Sequence, residues 1–241
     1  MDAARPGPAA EPALIAQVTA LVKTFERPGV LRRLVGSIRR LYPGLRIVVV
    51  DDSRMATRLE GVQTIEMPYD TGISAGRNEG IRHVTTPYVF LLDDDFVLSR
   101  RTRLAPAVAL MERHPEIDVM GGHVIDLPFY RKRRSADGFL FPTDQQPRAP
   151  IGTTIGGLEV RAKVPNYFLA RTDRLATVGW DSRLKLVEHA DFFTRALGVL
   201  TTVLNPRLTC LHARTPFAVD YRARRDSTEA ARAILADKWK R

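Results

Sequence analysis

Tyr88-Val89-Phe90-Leu91-Leu92-Asp93-Asp94-Asp95 is the stretch whose reading decides the fold. Its apolar residues are continuous rather than alternating, which predicts a strand covered on both faces, as in a parallel sheet. The strand then runs straight into three carboxylates. Upstream, Arg46-Ile47-Val48-Val49-Val50 repeats the pattern and ends in Asp51-Asp52-Ser53. Between Pro28 and Pro43-Gly44, residues Leu31, Leu34, Val35, Ile38 and Leu41 recur at spacings of three and four, which predicts a helix. Val18 to Val22 is a further short apolar run, followed by Lys23-Thr24-Phe25. A strand over Thr64 to Met67, a helix in the second half of Gly72 to Gly80, a helix over Thr102 to Arg113 and a strand over Ile117 to Ile125 continue the alternation. Such alternation predicts an α/β domain with a mostly parallel central sheet flanked by helices.

Leu127 to Pro150 has mixed charge, several prolines and no period, and reads as a long loop. Beyond it the pattern predicts strands over Leu158 to Val164 and Tyr167 to Ala170, and helices over Thr172 to Val178 and Glu188 to Leu197. Two more strands are expected over Val199 to Leu204 and Leu208 to His212. A final amphipathic helix spans Ser227 to Trp239, with Ala230, Ile234, Leu235 and Trp239 on its apolar side. Met1 to Ala13 is rich in Ala and Pro and lacks the basic start and apolar run of a signal peptide. No apolar stretch approaches the roughly 20 residues of a membrane span. The sequence therefore reads as a soluble, cytoplasmic protein with a disordered leader.

Composition narrows the partners. The chain has 241 residues, 37 basic and 27 acidic side chains and one cysteine, Cys210. That cysteine count excludes an internal disulfide framework and a cysteine-cage metal site. Residues 1–130 carry 16 basic and 16 acidic side chains; residues 131–241 carry 21 and 11, so the whole excess of +10 lies in the second half. Three runs supply it: Arg131-Lys132-Arg133-Arg134, Arg222 with Arg224-Arg225, and Lys238, Lys240 and Arg241. A chain basic throughout, as in a histone, is excluded.

In open α/β sheets ligands bind beyond the carboxyl ends of the strands, where Asp51-Asp52 and Asp93-Asp94-Asp95 sit. Strand geometry can send Asp93 and Asp95 to one side and Asp94 to the other. Two carboxylates on one side call for a cation between them, and hard oxygen ligands suit Mg²⁺ or Mn²⁺. Capping of the next helix by the same aspartates is the plainer alternative. His212 closes an apolar run, where a histidine is more often structural than a ligand, though imidazole can complete a carboxylate site. Gly72, Gly76 and Gly80 match neither the dinucleotide fingerprint nor the phosphate-cradling loop. They allow either close approach to a ligand, with Arg77 as a phosphate or base contact, or tight packing of a helix start on the sheet.

In order and spacing, Val48-Val49-Val50-Asp51-Asp52-Ser53, Gly76-Arg77-Asn78-Glu79-Gly80 and Leu91-Leu92-Asp93-Asp94-Asp95 resemble the motifs of GT-A glycosyltransferases of the family-2 type. Val22 to Phe25 with Ser37 to Pro43, Thr85 to Leu104, and Asn166 to Asp173 are similar to the catalytic domain of the β-1,4-N-acetylgalactosaminyltransferases that make gangliosides. The resemblance covers Val18 to Arg214. It implies that Asp52 contacts the uridine of a UDP-sugar, with Lys23, Thr24 and Phe25 around the base and Arg77 near the diphosphate. It also implies that Asp51 and Asp94 belong to the same nucleotide-sugar site. It implies further that Asp95 binds Mn²⁺ or Mg²⁺, that Asp93 holds the ribose or a metal-bound water, and that His212 is a third metal ligand.

Glu188-His189-Ala190-Asp191 falls where inverting members carry their catalytic carboxylate, and His189 stands where the usual Glu-Asp pair has its acid. Asp191 is the first choice for the base, then Glu188, then His189. The implied reaction is a single displacement that moves a sugar, GalNAc among the candidates, from a UDP-sugar to an acceptor hydroxyl with inversion. The chain then divides into a leader (1–14), a nucleotide-sugar-binding half (15–130), an acceptor-side half (131–218) and a basic C-terminal helix (219–241). The acceptor is expected to be a glycan, glycolipid or other hydroxyl-bearing molecule of anionic character, or one near a membrane surface touched by the basic half. A nucleotidyltransferase is disfavoured, because Val18 to Arg27 lacks the glycine-rich loop that handles a triphosphate. The competing reading from another class is a catalytically silent binder of anions, whether nucleic acid or membrane, through the basic half. Few aromatics are interleaved with the basic runs, so nucleic acid is disfavoured.

Overall fold

The apolar runs become strands because helices or loops cover both of their faces. The computed structural model describes residues 10–132, 140–213 and 228–240. β1 (Val18–Thr24), β2 (Arg46–Asp51), β3 (Gln63–Glu66) and β4 (Tyr88–Asp93) form a parallel block in the order β3-β2-β1-β4. α2 (Pro28–Leu41) and α3 (Ile73–Arg82) are its crossover helices, on opposite faces of the sheet. Alternate side chains of each strand serve the two faces. Val18, Ala20 and Val22 pack with Leu31, Leu34 and Ile38 of α2, while Leu21, Val48 and Val50 pack with Ile81 of α3.

Beyond β4 comes β10 (Phe168–Arg171), antiparallel to both of its neighbours, and then β6 (Val119–Asp126) and β11 (Thr202–His212). Along β3-β2-β1-β4-β10-β6-β11 every strand except β10 runs in one direction, as the mostly parallel sheet of the sequence reading requires. Four short strands decorate it: β5 (Phe96–Leu98) on β11, β7 (Arg131–Lys132) on β6, β9 (Leu158–Val160) on β11, and β8 (Thr154–Ile155) on β9. α4 (Leu104–Arg113) packs on the α2 face, and α5 (Thr172–Val178) and α6 (Glu188–Ala196) on the α3 face.

Several expectations are corrected. Residues 10–14, expected in a disordered leader, lie in helix α1 (Ala10–Ile15), which is held because Ile15 is buried in the first core and Leu14 packs against it; residues 1–9 lie outside the described residues. The strands expected over Val199–Leu204 and Leu208–His212 are one strand, with a register shift between Asn205 and Thr209. That irregularity absorbs Pro206, which cannot donate to a ladder. The long loop contains β7. The final helix, α7 (Glu229–Lys238), buries Ala231 and Leu235 against Leu184, with Phe141 and Trp239 alongside, and leaves Ala230 exposed.

Of the basic runs, Arg131 and Lys132 are exposed on β7, whereas Lys238 pairs with Asp181 and Asp191. Arg133, Arg134, Arg222, Arg224, Arg225 and Arg241 lie outside the described residues. No helix among the described residues is long and apolar enough to cross a membrane.

Candidate active site

Parallel pairing brings the charged strand ends together. Thr24 is in register with Asp51, and Lys23 with Asp93, so β2, β1 and β4 present their carboxyl ends side by side. Lys23 pairs with Asp52, whose second oxygen accepts the Gly72 amide at 2.8 Å. Burial pulls the Lys23 ammonium below its ordinary pKa, and Asp52 opposes that shift. The Phe25 ring lies 5.7 Å from the Lys23 Nζ and 5.5 Å from the Tyr69 ring, giving two aromatics beside the pair.

Asp51 does something different from its neighbour. Its Oδ1 accepts the Ser53 amide at 2.9 Å and its Oδ2 the Thr57 amide at 2.8 Å. The structure uses this buried carboxylate to fix the turn after β2, an Asx-type role.

α3 sits close on β1. A methyl group on Gly76 would stand 2.5 Å from Lys23 Cδ, and one on Gly80 2.4 Å from Leu21 Cδ1. Of the two readings of this glycine series, close helix-on-sheet packing is the one the structure displays. Arg77, placed by that packing, is fully buried over the Trp180 ring at 5.5 Å. Its Nη2 donates to Asp93 at 2.8 Å and its Nη1 to Glu188 at 2.6 Å. A single guanidinium on α3 thus joins the end of β4 to the start of α6, reaching Glu188 from 111 positions away in sequence.

The aspartate triplet does not divide as strand alternation expects: β4 ends at Asp93, and in the turn that follows Asp94 and Asp95 both meet Arg27 while Asp93 faces Arg77. The side chain of Asp93 is 30 % exposed. Asp94 is buried, takes the Thr24 hydroxyl at 2.7 Å and lies in the fork of Arg27. Burial pushes its carboxyl up to about 6 despite Arg27. Asp95 has its Oδ2 3.3 Å from both Arg27 Nη1 and His212 Nε2. Asp126 pairs with the other ring nitrogen of His212, at 2.6 Å from Nδ1. A carboxylate on Nδ1 is the usual means of turning a histidine's Nε2 lone pair toward a cation. Two ligands at right angles on an ion with ~2.1 Å bonds lie about 3.0 Å apart, so Asp95 and His212 fit such an ion. Among the described residues no three acidic, histidine or cysteine side chains converge into a complete site. The pair would therefore need ligands from a substrate.

α6 presents its two acids to different surroundings. Glu188, 6 % exposed, receives Arg77 and lies 3.4 Å from Asn166 Nδ2. Burial alone would raise its carboxyl, but the charge of Arg77 prevails and holds it below the ordinary value. His189 Nδ1 lies 2.6 Å from Asn166 Oδ1, and burial pushes the imidazole down to about 4.

Asp191 is 0 % exposed and faces away from this group. It accepts from Arg195 Nε at 2.9 Å and Trp239 Nε1 at 3.0 Å, and pairs with Lys238 at 2.7 Å. The first choice for a base is thus an anchor for α7, because residues three apart on a helix differ by 60° in direction and meet different neighbours. Arg27, Asn166, Asp126 and Tyr69 join the site although the sequence reading assigned them no role. Asn166 lay within a stretch already singled out, and Arg27 two residues after Phe25.

Comparison with known proteins identifies the family. The chain is 41% identical over 196 residues to human beta-1,4 N-acetylgalactosaminyltransferase 1, covering 77% of this chain and 37% of that protein. It is 35% identical over 213 residues to mouse beta-1,4 N-acetylgalactosaminyltransferase 2, covering 83% of this chain and 40% of that protein. The matched part is thus about two fifths of each relative's length. Among solved structures, S. aureus TarS 1-349 in complex with UDP-GlcNAc superposes with a TM-score of 0.61 at 15% identity, over 82% of this chain and 58% of that one. GalNAc-T7 with UDP, GalNAc and Mn2+ gives 0.59 at 16% identity, over 82% and 44%. These structures share the GT-A architecture. Residues 19–172, which hold every strand-end aspartate of the site, match the family profile for glycosyl transferase family 2, and the chain belongs to that family.

Proposed function

We propose that this chain transfers a sugar, GalNAc among the candidates, from a UDP-sugar to an acceptor hydroxyl with inversion, assisted by Mn²⁺ or Mg²⁺. The observation that carries the reading is the Arg77 bridge, which brings a donor-side aspartate and a second carboxylate to one guanidinium. Asp52, Lys23, Phe25 and Tyr69 are suited to the uridine: a carboxylate to accept from the base, a cation and two ring faces. Asp95 and His212 would hold the cation, with Asp126 orienting the imidazole. A bound divalent ion supplies charge neutralisation for the departing diphosphate.

Glu188 is the proton acceptor in this reading. Arg77 keeps it ionised at neutral pH, so it can take the proton of an acceptor hydroxyl as that oxygen attacks the anomeric carbon from the face opposite UDP. One displacement turns an α-linked donor into a β-glycoside. Asn166 links Glu188 to His189 and fixes the acid's direction, and burial keeps His189 neutral.

The N-acetylgalactosaminyltransferase relatives support the donor class; the acceptor is proposed only as an anionic hydroxyl-bearing glycan or lipid, from the excess charge of residues 131–241. The test is UDP release from a panel of UDP-sugars with Mn²⁺, across neutral and anionic acceptors. Release that requires metal and one donor, and that falls at least a hundredfold in Glu188→Gln, supports the reading. Absence of release with every donor and acceptor refutes it.

A further inference from the structure

Arg27 occupies a place that neither the nucleotide nor the proton-transfer roles explain. It ends the loop after β1, immediately before Pro28 opens α2. Its guanidinium is nearly buried and has two prongs. One is a fork on Asp94, a carboxylate that is itself buried and held by Thr24. The other, Nη1, reaches Asp95 Oδ2 at 3.3 Å, on the same oxygen that faces His212 Nε2. The Asp94 fork fixes the side chain; the second prong leaves a permanent positive charge against the cation ligand.

The side chains of Asp93, Asp94 and Asp95 already face Arg77, Arg27 and the Arg27–His212 pair respectively. A divalent cation entering between Asp95 and His212 would meet Arg27 as a like charge within a few ångströms. A diphosphate arriving with the cation reverses the balance, because its negative oxygens accept from the metal and the guanidinium together.

The geometry points to Arg27 as a coupling residue that weakens binding of the cation alone and strengthens binding of the nucleoside diphosphate, so that the two are taken up and released together. This rests on the metal-and-UDP reading above and adds a residue and a sign to it. A purely structural arginine would predict losses of the same sign for both ligands.

The test is equilibrium binding, without turnover. Free Mn²⁺ is titrated by electron paramagnetic resonance, and UDP by calorimetry at saturating Mn²⁺, for the wild type, Arg27→Gln and Arg27→Lys. Coupling predicts that Arg27→Gln binds Mn²⁺ alone roughly tenfold more tightly and UDP roughly tenfold more weakly, given the strength of a unit charge at such range. Arg27→Lys, which keeps the charge, is expected to hold Mn²⁺ within about threefold of wild type. Arg27→Met keeps the apolar stem and gives the same reading should Arg27→Gln fail to fold. Both affinities falling together, or neither changing, overturns the inference. A wild type that takes up neither Mn²⁺ nor UDP overturns the underlying reading, and the coupling with it.

Discussion

Asp191→Asn separates an anchoring carboxylate from a reacting one, and the structure sets the size of the effect. The wild-type side chain is fully buried and faces two cations, Arg195 and Lys238, as well as the Trp239 indole. Amide substitution keeps one acceptor but removes the charge, leaving two cations short of a partner. Breaking a buried pair costs about 3–5 kcal/mol. Arg195 and Lys238 are each roughly a fifth exposed, so water recovers part of that, and about 3 kcal/mol is the expected loss. For a domain of this size each kcal/mol moves Tm by about 2–4 °C, so the midpoint should fall by roughly 6–12 °C. Lys238 and Trp239 belong to the C-terminal end of α7, so hydrogen exchange should rise first over residues 228–240 and over the facing Phe141. Urea unfolding gives the energy and exchange gives the place. UDP affinity should remain within about threefold, since among the described residues Asp191 is held by Arg195, Lys238 and Trp239 rather than by a residue proposed for the donor site. An Asp191→Asn protein with unchanged stability and abolished transfer would refute the reasoning and restore Asp191 as the base.

Glu188→Gln should lower kcat by about 10²–10⁴ while UDP affinity changes by no more than about threefold, as read by UDP release and calorimetry; a large loss of UDP affinity would assign Glu188 to the donor instead. His189 makes stability pH-dependent: the unfolded imidazole takes a proton near 6.5 and the folded one only near 4, so stability falls as pH drops through that window, by about 3 kcal/mol at most. Urea midpoints from pH 7 to pH 4 should show this slope, and His189→Gln should flatten it. Gly80→Ala would drive a methyl into Leu21 and Val50 and should cost about 1–3 kcal/mol in urea unfolding, whereas a neutral result would mean that α3 can lift off the sheet freely.

Strands buried on both faces leave an unmistakable sequence signal, which is why β1, β2 and β4 were legible. β5, β7 and β8 have two or three residues each, too few to show a period. The reversed direction of β10 leaves no mark, because a buried strand reads the same either way. Pro206 made one strand look like two. In the site, aspartates at strand ends were legible because topology puts such ends in one place. Arg27, Asn166 and Asp126 were not, since each acts on a partner distant in sequence. Glu188 and Asp191 share one helical turn, and only the surfaces packed around α6 distinguish them.

The antiparallel strand β10 carries a consequence for how this protein comes into being. β4 and β6 are each hydrogen-bonded to β10, and residues 168–171 follow both by more than forty positions. Until those four residues emerge from the ribosome, the parallel block has an open edge at β4, an apolar strand whose unpaired N–H and C=O groups are ready to pair with any stray strand. The β3-β2-β1-β4 block therefore keeps an unpaired edge until β10 is added, and a fragment ending before Phe168 should aggregate. Inheritance would act on the two halves as one piece: either can change its loops, but neither can be exchanged without supplying the strand that closes the seam.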